Sequence, residues 1–143
     1  MTKRVLFVCL GNICRSPTAE GVFRAMLSEE DAIETDSAGT GDYHTGNPPD
    51  RRAIDEAAQR GIDISDLRSR QIERADFDRF DLIFAMDRSN FGHLEKMAPT
   101  GCRAELRMML AGADVPDPYY EDNFSAVFEM LEDASRDLLA MMR

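Results

Sequence analysis

The residues best suited to chemistry lie close to the amino terminus, where the chain reads Cys-Leu-Gly-Asn-Ile-Cys-Arg-Ser over residues 9–16. A cysteine thiolate is a nucleophile, and the guanidinium of an arginine is a planar fork of N–H donors that matches two oxygens of a phosphate. Cys9 and Arg15 together therefore predict a site that binds a phosphate group and attacks it. Ser16 is placed to donate a hydrogen bond to the sulfur of Cys9.

The segments on either side of this loop must hold it in place. An apolar run over residues 4–9 predicts a buried strand, and Ser16 followed by Pro17 predicts the N-cap and first position of a helix. A loop between a strand and a helix N-terminus turns its amides inward and gains partial positive charge from the helix dipole. Gly11 and Asn12 tolerate the backbone angles that such a loop requires. We therefore expect a phosphate-binding loop made of Leu10, Gly11, Asn12, Ile13, Cys14, Arg15 and Ser16.

Hydrophobic patterning along the rest of the chain alternates between strands and helices. Apolar runs predict four strands, at residues 4–9, 34–38, 81–85 and 104–108. Helical spacing predicts helices after the first strand, over residues 50–60 before Gly61, and at the carboxyl end. This alternation is typical of a parallel sheet covered on both faces. We therefore expect an α/β fold in a single domain over residues 1–143, with a doubly wound four-stranded parallel sheet and helices on both faces.

The net charge, the amino-terminal sequence and the cysteine count indicate which partners the protein can bind and in which compartment it works. The formal net charge of −10 disfavours nucleic acid and anionic membrane as partners. The amino terminus lacks the pattern of a signal peptide, so we expect a cytoplasmic protein. The three cysteines are an odd number, which argues for reduced thiols rather than a disulfide framework.

Nucleotide and metal sites lack their sequence signatures. The chain contains neither the P-loop motif nor the glycine motif that binds dinucleotides. Cys9 and Cys14 lack the second pair of ligands that a structural zinc site needs, because Cys102, His44 and His93 are irregularly spaced. We therefore expect no metal and no cofactor, and we interpret both histidines as loop or surface residues.

The extended run over residues 5–17, Val-Leu-Phe-Val-Cys-Leu-Gly-Asn-Ile-Cys-Arg-Ser-Pro, resembles the low-molecular-weight protein tyrosine phosphatases. The sequence Asp-Pro-Tyr-Tyr at residues 117–120 is also similar to that family. The resemblance continues through residues 37–40, 70–72 and 86–87 and into the last helix. It therefore covers nearly the whole chain.

This resemblance implies a two-step hydrolysis of protein phosphotyrosine, and of small aryl phosphates, through a cysteinyl-phosphate intermediate. Cys9 is the implied nucleophile, Arg15 the phosphate clamp, and Asp117 the general acid and later the general base. The implied partner is a phosphotyrosine-bearing protein, and no metal takes part. The walls of a pocket for the phenyl ring are expected from Ile13, Tyr43, Tyr119 and Tyr120.

Several positions bear on the surroundings of the implied site. The family often has tryptophan where this chain has Tyr43, and many members have a histidine that braces the loop asparagine where this chain has Leu67. Asp87 resembles the acid that braces the loop in the family, although aspartate at a helix start is also a common cap. Cys14 is near enough in sequence to suggest a reversible disulfide with Cys9 under oxidation.

Three other functions share part of this pattern. Arsenate reductases share the fold and the cysteine loop, but they need a further pair of cysteines, and residues 82–90 contain none, so that Cys102 stands alone. Phosphoarginine phosphatases within the resembled family are associated with a β-branched polar residue in place of Ile13. A phosphopeptide-binding module without activity would lack the nucleophile or the acid.

We expect a monomer or a weak dimer.

Overall fold

The first strand carries Val-Leu-Phe-Val at positions where both of its faces are buried, which requires a place inside the sheet. The computed structural model, which describes residues 2–143, has four parallel strands in the order β2-β1-β3-β4. The strands are β1 (Lys3–Cys9), β2 (Ile33–Gly39), β3 (Leu82–Ala85) and β4 (Glu105–Met108). The predicted four-stranded parallel sheet is confirmed, and each strand lies within a residue or so of its predicted bounds.

Helices cover both faces of this sheet, as predicted. They are α1 (Arg15–Met26), α2 (Arg51–Gln59), α3 (Asp76–Arg79), α4 (Arg88–Met97), α5 (Pro118–Glu121) and α6 (Phe124–Met142). On one face Phe7 packs with residues of α1 and α6, and on the other Leu6 packs with residues of α3 and α4. Within residues 2–143 no helix combines the length and the apolar character needed to cross a bilayer.

Parallel strands bring the segments that follow them to one edge of the sheet. Cys9, the last residue of β1, pairs with Gly39 at the end of β2, and Val8 pairs with Ala85 at the end of β3. The segments after all four strands therefore start at the same edge. This edge is the usual ligand site of open parallel sheets.

The start of α1 differs from the prediction. Cys14 is the N-cap and Arg15 the first helical residue, so the cap lies two residues before the predicted cap at Ser16. The hydroxyl of Ser16 does not cap the helix, because it contacts the sulfur of Cys9 instead. Pro17 remains acceptable in the first turn, where a backbone N–H has no partner within the helix. The predicted glycine after α2 is confirmed, because Gly61 has φ +80 just beyond the helix end.

The packing of α1 makes a testable prediction about two helical glycines. A β-carbon on Gly21 would lie 2.3 Å from Cγ2 of Ile64, whereas one on Gly92 in α4 would have no neighbour within 4 Å. We expect Gly21→Ala to lower the free energy of unfolding by about 1–3 kcal/mol, because the added methyl group would overpack the site. We expect Gly92→Ala to raise it by up to about 1 kcal/mol, because alanine favours a helix. Urea unfolding measures both, and equal effects of the two substitutions would contradict the packing.

Candidate active site

The loop between β1 and α1 is held from outside through its carbonyl groups. Its outward hydrogen bonds run from Thr40 N to Cys9 O (2.9 Å), Gly41 N to Leu10 O (3.0 Å), Ser69 Oγ to Gly11 O (3.0 Å) and Asp50 N to Ile13 O (2.8 Å). Across a trans peptide the C=O of one residue and the N–H of the next point in opposite directions. The amides that follow these carbonyls therefore point into the loop, where they form a cradle for an anion.

The sulfur of Cys9 lies within this cradle. Cys9 ends β1, its side chain is buried, and its Sγ is 3.0 Å from Oγ of Ser16. The backbone N–H of Asn12 donates to the same sulfur at 3.3 Å. Asn12 has φ 56, a left-handed conformation that asparagine tolerates better than most residues. These contacts hold the sulfur at the centre of the loop.

The side chain of Asn12 braces the loop from behind. Its Nδ2 donates to Oγ of Ser16 (2.8 Å) and to Oγ of Ser37 (3.0 Å). Its Oδ1 accepts a hydrogen bond from the backbone N–H of Arg70 at 3.1 Å. Leu67, at the position where a histidine brace was in question, packs instead beside the apolar cluster of α1, α2 and α6. In this chain the side chain of Asn12 is thus braced by the backbone N–H of Arg70, which donates to it, and by two serine hydroxyls, which accept from it.

Arg15 is a buried cation that faces the candidate acid. Its Nη1 donates to Oδ2 of Asp87 (2.7 Å) and to the carbonyl of Val115 (3.0 Å). Its Nη2 lies 3.7 Å from Oδ2 of Asp117. Burial alone would lower the pKa of Arg15, but the charge of Cys9 and the bond to Asp87 outweigh it and raise that pKa. The guanidinium therefore stays charged and is held in one orientation.

Asp87 has both of the roles considered from the sequence. One carboxylate oxygen accepts from the backbone N–H of Asn90 at 2.7 Å and so caps α4. The other accepts from Arg15. The cap keeps the carboxylate in place, and the carboxylate then orients the guanidinium.

Asp117 lies at the entrance of the site. It is the N-cap of α5, and its Oδ1 accepts from the backbone N–H of Tyr119 at 3.1 Å. Pro116 and Pro118 restrict the backbone on either side. About a third of the side chain, 32%, is exposed, so the second carboxylate oxygen is accessible to a bound molecule or to water.

These residues surround one cleft of about 400 Å³. Its lining comprises Cys9, Leu10, Gly11, Ile13, Cys14, Arg15, Tyr43, His44, Asp117, Tyr119 and Tyr120. The structure thus brings together the three candidate catalytic residues and the four candidate wall residues. Of the predicted phosphate loop, Asn12 and Ser16 do not line the cleft, because their side chains bond behind the loop.

His44 is a lining residue that the sequence interpretation missed. A β-carbon on Gly11 would lie 3.0 Å from Cδ2 of His44, so the imidazole lies directly against the cysteine loop. One feature of the sequence could have predicted this role. His44 follows Tyr43 in the segment after β2, and this segment starts at the same sheet edge as the cysteine loop. A histidine at irregular spacing from other ligands carries no such signal by itself.

Cys14 is buried next to the nucleophile candidate. Burial and the negative charge of Asp50 raise the pKa of the Cys14 thiol. Once an oxidant such as a peroxide has converted Cys9 to a sulfenic acid, the thiolate of Cys14 would attack that sulfur and displace hydroxide, which leaves as water once protonated. The raised pKa keeps the Cys14 thiolate scarce. Both cysteines are free thiols in this structure. The Cys9–Cys14 disulfide stays a prediction, and we expect it to form slowly at neutral pH.

A buried acid lies behind the loop. Glu20 of α1 is 4% exposed and accepts a hydrogen bond at 2.7 Å from Oγ of Ser37, the hydroxyl that Asn12 contacts. Burial raises the pKa of Glu20, and the bond from Ser37 only partly offsets that effect. Arg24 is 3.9 Å away and 45% exposed, so it compensates the charge weakly.

A sequence model described as "Low molecular weight phosphotyrosine protein phosphatase" matches residues 4–143. The low molecular weight protein-tyrosine-phosphatase YfkJ of Bacillus subtilis is 41% identical over 97% of this chain and 95% of its own. A crystal structure of YfkJ superposes with a TM-score of 0.92 at 39% identity, covering 99% of this chain and 95% of that one. The chain belongs to the low molecular weight protein tyrosine phosphatases, a family of hydrolases.

Two further relatives span a wide range of sources. The low molecular weight phosphotyrosine protein phosphatase of Homo sapiens is 41% identical over 90% of this chain and 88% of its own. The crystal structure of a Drosophila arginine phosphatase has a TM-score of 0.90 at 29% identity and covers 97% of each chain. Proteins of this fold are therefore named for two different activities, one a phosphotyrosine phosphatase and the other an arginine phosphatase.

The buried acid makes the stability depend on pH in a definite direction. The pKa of Glu20 is raised in the folded state, so protonation stabilises the fold at low pH, and this contribution is lost as pH rises through the folded pKa. Asp36 and Asp66 add to the cost of the ionised form, and Arg24 reduces it. We expect Glu20→Gln to gain stability relative to the wild type as pH rises from mildly acidic to mildly alkaline.

Urea unfolding of both proteins across this pH range measures the difference in free energy. Taking the difference cancels the titration of the other carboxylates, which the two proteins share. A difference that stays constant, or that moves against the variant as pH rises, would contradict the raised pKa.

Proposed function

We propose that this chain hydrolyses phosphotyrosine in proteins, and small aryl phosphates, through a cysteinyl-phosphate intermediate. One observation carries the proposal: a buried sulfur, a buried cation and a partly exposed carboxyl line a single cleft, in which the backbone N–H of Asn12 donates to the sulfur. Cys9 is the proposed nucleophile, Arg15 the phosphate clamp, and Asp117 the general acid and base. Membership of the family supports the assignment.

In the first step the thiolate of Cys9 attacks phosphorus and the bond from phosphorus to the tyrosyl oxygen breaks. Asp117 donates its proton to the departing oxygen, so that a neutral phenol leaves. In the second step the ionised Asp117 takes a proton from a water whose oxygen attacks phosphorus. The sulfur–phosphorus bond breaks, the thiolate returns, and inorganic phosphate is released.

The negative charge on the phosphate oxygens in the transition state would be stabilised by donors that are already oriented in the free protein. Arg15 is held by Asp87 and Val115, so its fork needs little reorganisation to bind two phosphate oxygens. The inward amides of residues 10–12 and 14 can contact the remaining oxygens. Preorganised donors of this kind are usually the largest contribution to such catalysis.

The depth of the cleft supports an aryl substrate. Cys9 is 3% exposed at the floor, whereas Tyr43, Tyr119 and Tyr120 are exposed at the entrance. A tyrosyl ring would carry its phosphate further below the entrance than the shorter side chain of phosphoserine could. Aromatic and aliphatic walls also suit a flat apolar ring.

The alternatives are less well supported. The similarity to an arginine phosphatase keeps phosphoarginine open as a substrate of the fold, but Ile13 lacks the polar β-branched side chain associated with it. An arsenate reductase would need a cysteine pair, and Cys102 is the one cysteine outside the loop. A binding module is disfavoured because Cys9, Arg15 and Asp117 are all present.

The proposed roles predict different responses to two substitutions. We expect Cys9→Ser to abolish hydrolysis of p-nitrophenyl phosphate, because a serine hydroxyl is a far weaker nucleophile than a thiolate. We expect Asp117→Asn to reduce hydrolysis of phenyl phosphate by roughly 10²–10⁴-fold. The loss should be smaller for p-nitrophenyl phosphate, whose leaving group needs less protonation.

Steady-state assays at mildly acidic pH with EDTA present measure these effects. EDTA should leave the wild type unchanged, because Arg15 and the amides supply the positive charge. Residual turnover in Cys9→Ser, or equal losses on both substrates in Asp117→Asn, would overturn the roles. A folded and freshly reduced wild type without activity would overturn the function itself.

A further inference from the structure

Arg52, in the first turn of α2, binds two segments that both belong to the cleft. Its guanidinium forms a two-bond pair with Asp50, from Nε to Oδ1 and from Nη2 to Oδ2, each at 3.0 Å. Its Nη2 also donates to the backbone carbonyl of Tyr119 at 3.3 Å, and its Nη1 lies 3.5 Å from Oδ1 of Asp122. One side chain thus joins α2 to the segment that carries the proposed acid.

The guanidinium also contacts aromatic rings of that segment. Its central carbon lies 5.5 Å from the ring centroid of Tyr119 and 4.7 Å from that of Phe124 at the start of α6. Cation–π contacts at these distances favour a parallel approach of guanidinium and ring. Tyr119 is therefore held through both its backbone and its ring.

Tyr119 in turn contacts the proposed acid. The backbone N–H of Tyr119 donates to Oδ1 of Asp117, which leaves Oδ2 directed toward Arg15. A shift of Tyr119 would therefore turn the carboxyl of Asp117. Within the part of the chain that the structure describes, every hydrogen bond or ion pair between residues 118–122 and a different element runs to Arg52.

Asp50 extends this connection to the phosphate loop. Its backbone N–H donates to the carbonyl of Ile13 at 2.8 Å, and its carboxylate caps α2 by accepting from the backbone N–H of Arg52. The cysteine loop and the segment that carries the proposed acid therefore both form hydrogen bonds with residues at the N-terminus of α2. Arg15 makes a separate connection at Val115, ahead of the acid.

We propose that Arg52 is a positioning residue, which fixes the distance and orientation of Asp117 relative to the phosphate loop through Tyr119 and Asp50. This role rests on the proposed function of Asp117 as general acid. Arg52 touches no reacting atom. Its side chain is 41% exposed, so its ion pairs add little stability, but misplacing a catalytic group by about 1 Å can cost ~10²-fold in rate.

The adjacent Arg51 is a matched control. It lies on the same helical turn, carries the same charge, is 85% exposed, and pairs with Asp55 of its own helix. The experiment compares Arg52→Met, Arg52→Lys and Arg51→Met with the wild type and with Asp117→Asn. The rate constant kcat/KM is measured for a series of aryl phosphates whose phenols differ in acidity, with phenyl phosphate and p-nitrophenyl phosphate at the extremes.

We expect Arg52→Met to lose on the order of 10-fold in kcat/KM for phenyl phosphate and little for p-nitrophenyl phosphate, as a misplaced acid would. Its dependence on the leaving group should approach that of Asp117→Asn. Arg52→Lys should restore little, because an ammonium cannot bind both Asp50 oxygens and stack on two rings. Arg51→Met should match the wild type.

A second measurement reads the position of the segment without reference to activity. Hydrogen exchange of the backbone amides of residues 119–122 should be faster in Arg52→Met and unchanged in Arg51→Met. Unchanged exchange in Arg52→Met would overturn the inference, whatever the rates show. So would equal losses on all substrates, or full rescue by lysine, since these indicate a general or purely electrostatic role.

The outcomes separate this inference from the proposed function. If the wild type hydrolyses aryl phosphates but the wild type and Arg52→Met depend on the leaving group in the same way, only the inference on Arg52 fails. If a folded wild type is inert, the proposed function fails and the positioning role fails with it.

Discussion

The hydrogen bonds that leave the cysteine loop through its carbonyl groups are the constraint on which the site depends. Amides can converge on one point only if the carbonyls of the same peptides find donors on the outside, because a buried carbonyl without a donor costs about 1–3 kcal/mol. The donors are Thr40, Gly41, Asp50 and Ser69. The close approach also requires Gly39, where a β-carbon would lie 2.8 Å from the carbonyl oxygen of Leu10.

The parts of the fold that follow from local pattern were predictable from the sequence. The four strands, the helices on both faces and the glycine after α2 depend on hydrophobic periodicity and backbone preference within short windows. The start of α1 did not follow from such rules. A serine is expected to cap a helix when its hydroxyl is free, but Ser16 lies 3.0 Å from the sulfur of Cys9 and accepts a bond from Asn12. A contact across the loop outweighed the local preference.

The site was predictable to the extent that its residues are neighbours in sequence. Cys9 and Arg15 share one loop, so their spacing is informative, whereas Asp-Pro at residue 117 is typical of a turn and gained its meaning from the family resemblance. His44 and Arg52 have no motif of their own. His44 lines the cleft because the segment between β2 and α2 starts at the same sheet edge as the cysteine loop. Arg52, in the first turn of α2, lies outside the lining and contacts Tyr119, and only the folded structure shows this contact.

The outward donors of the loop are scattered along the chain, from the end of β2 to the segment before α3. The anion cradle therefore has no existence apart from the folded domain, and no short fragment can hold it. Phosphate affinity is then coupled to folding as a whole, since a ligand that binds only the native state stabilises every element together. Under the proposed function, inorganic phosphate is a product that the native cradle would bind, and its concentration would then set part of the free energy of unfolding.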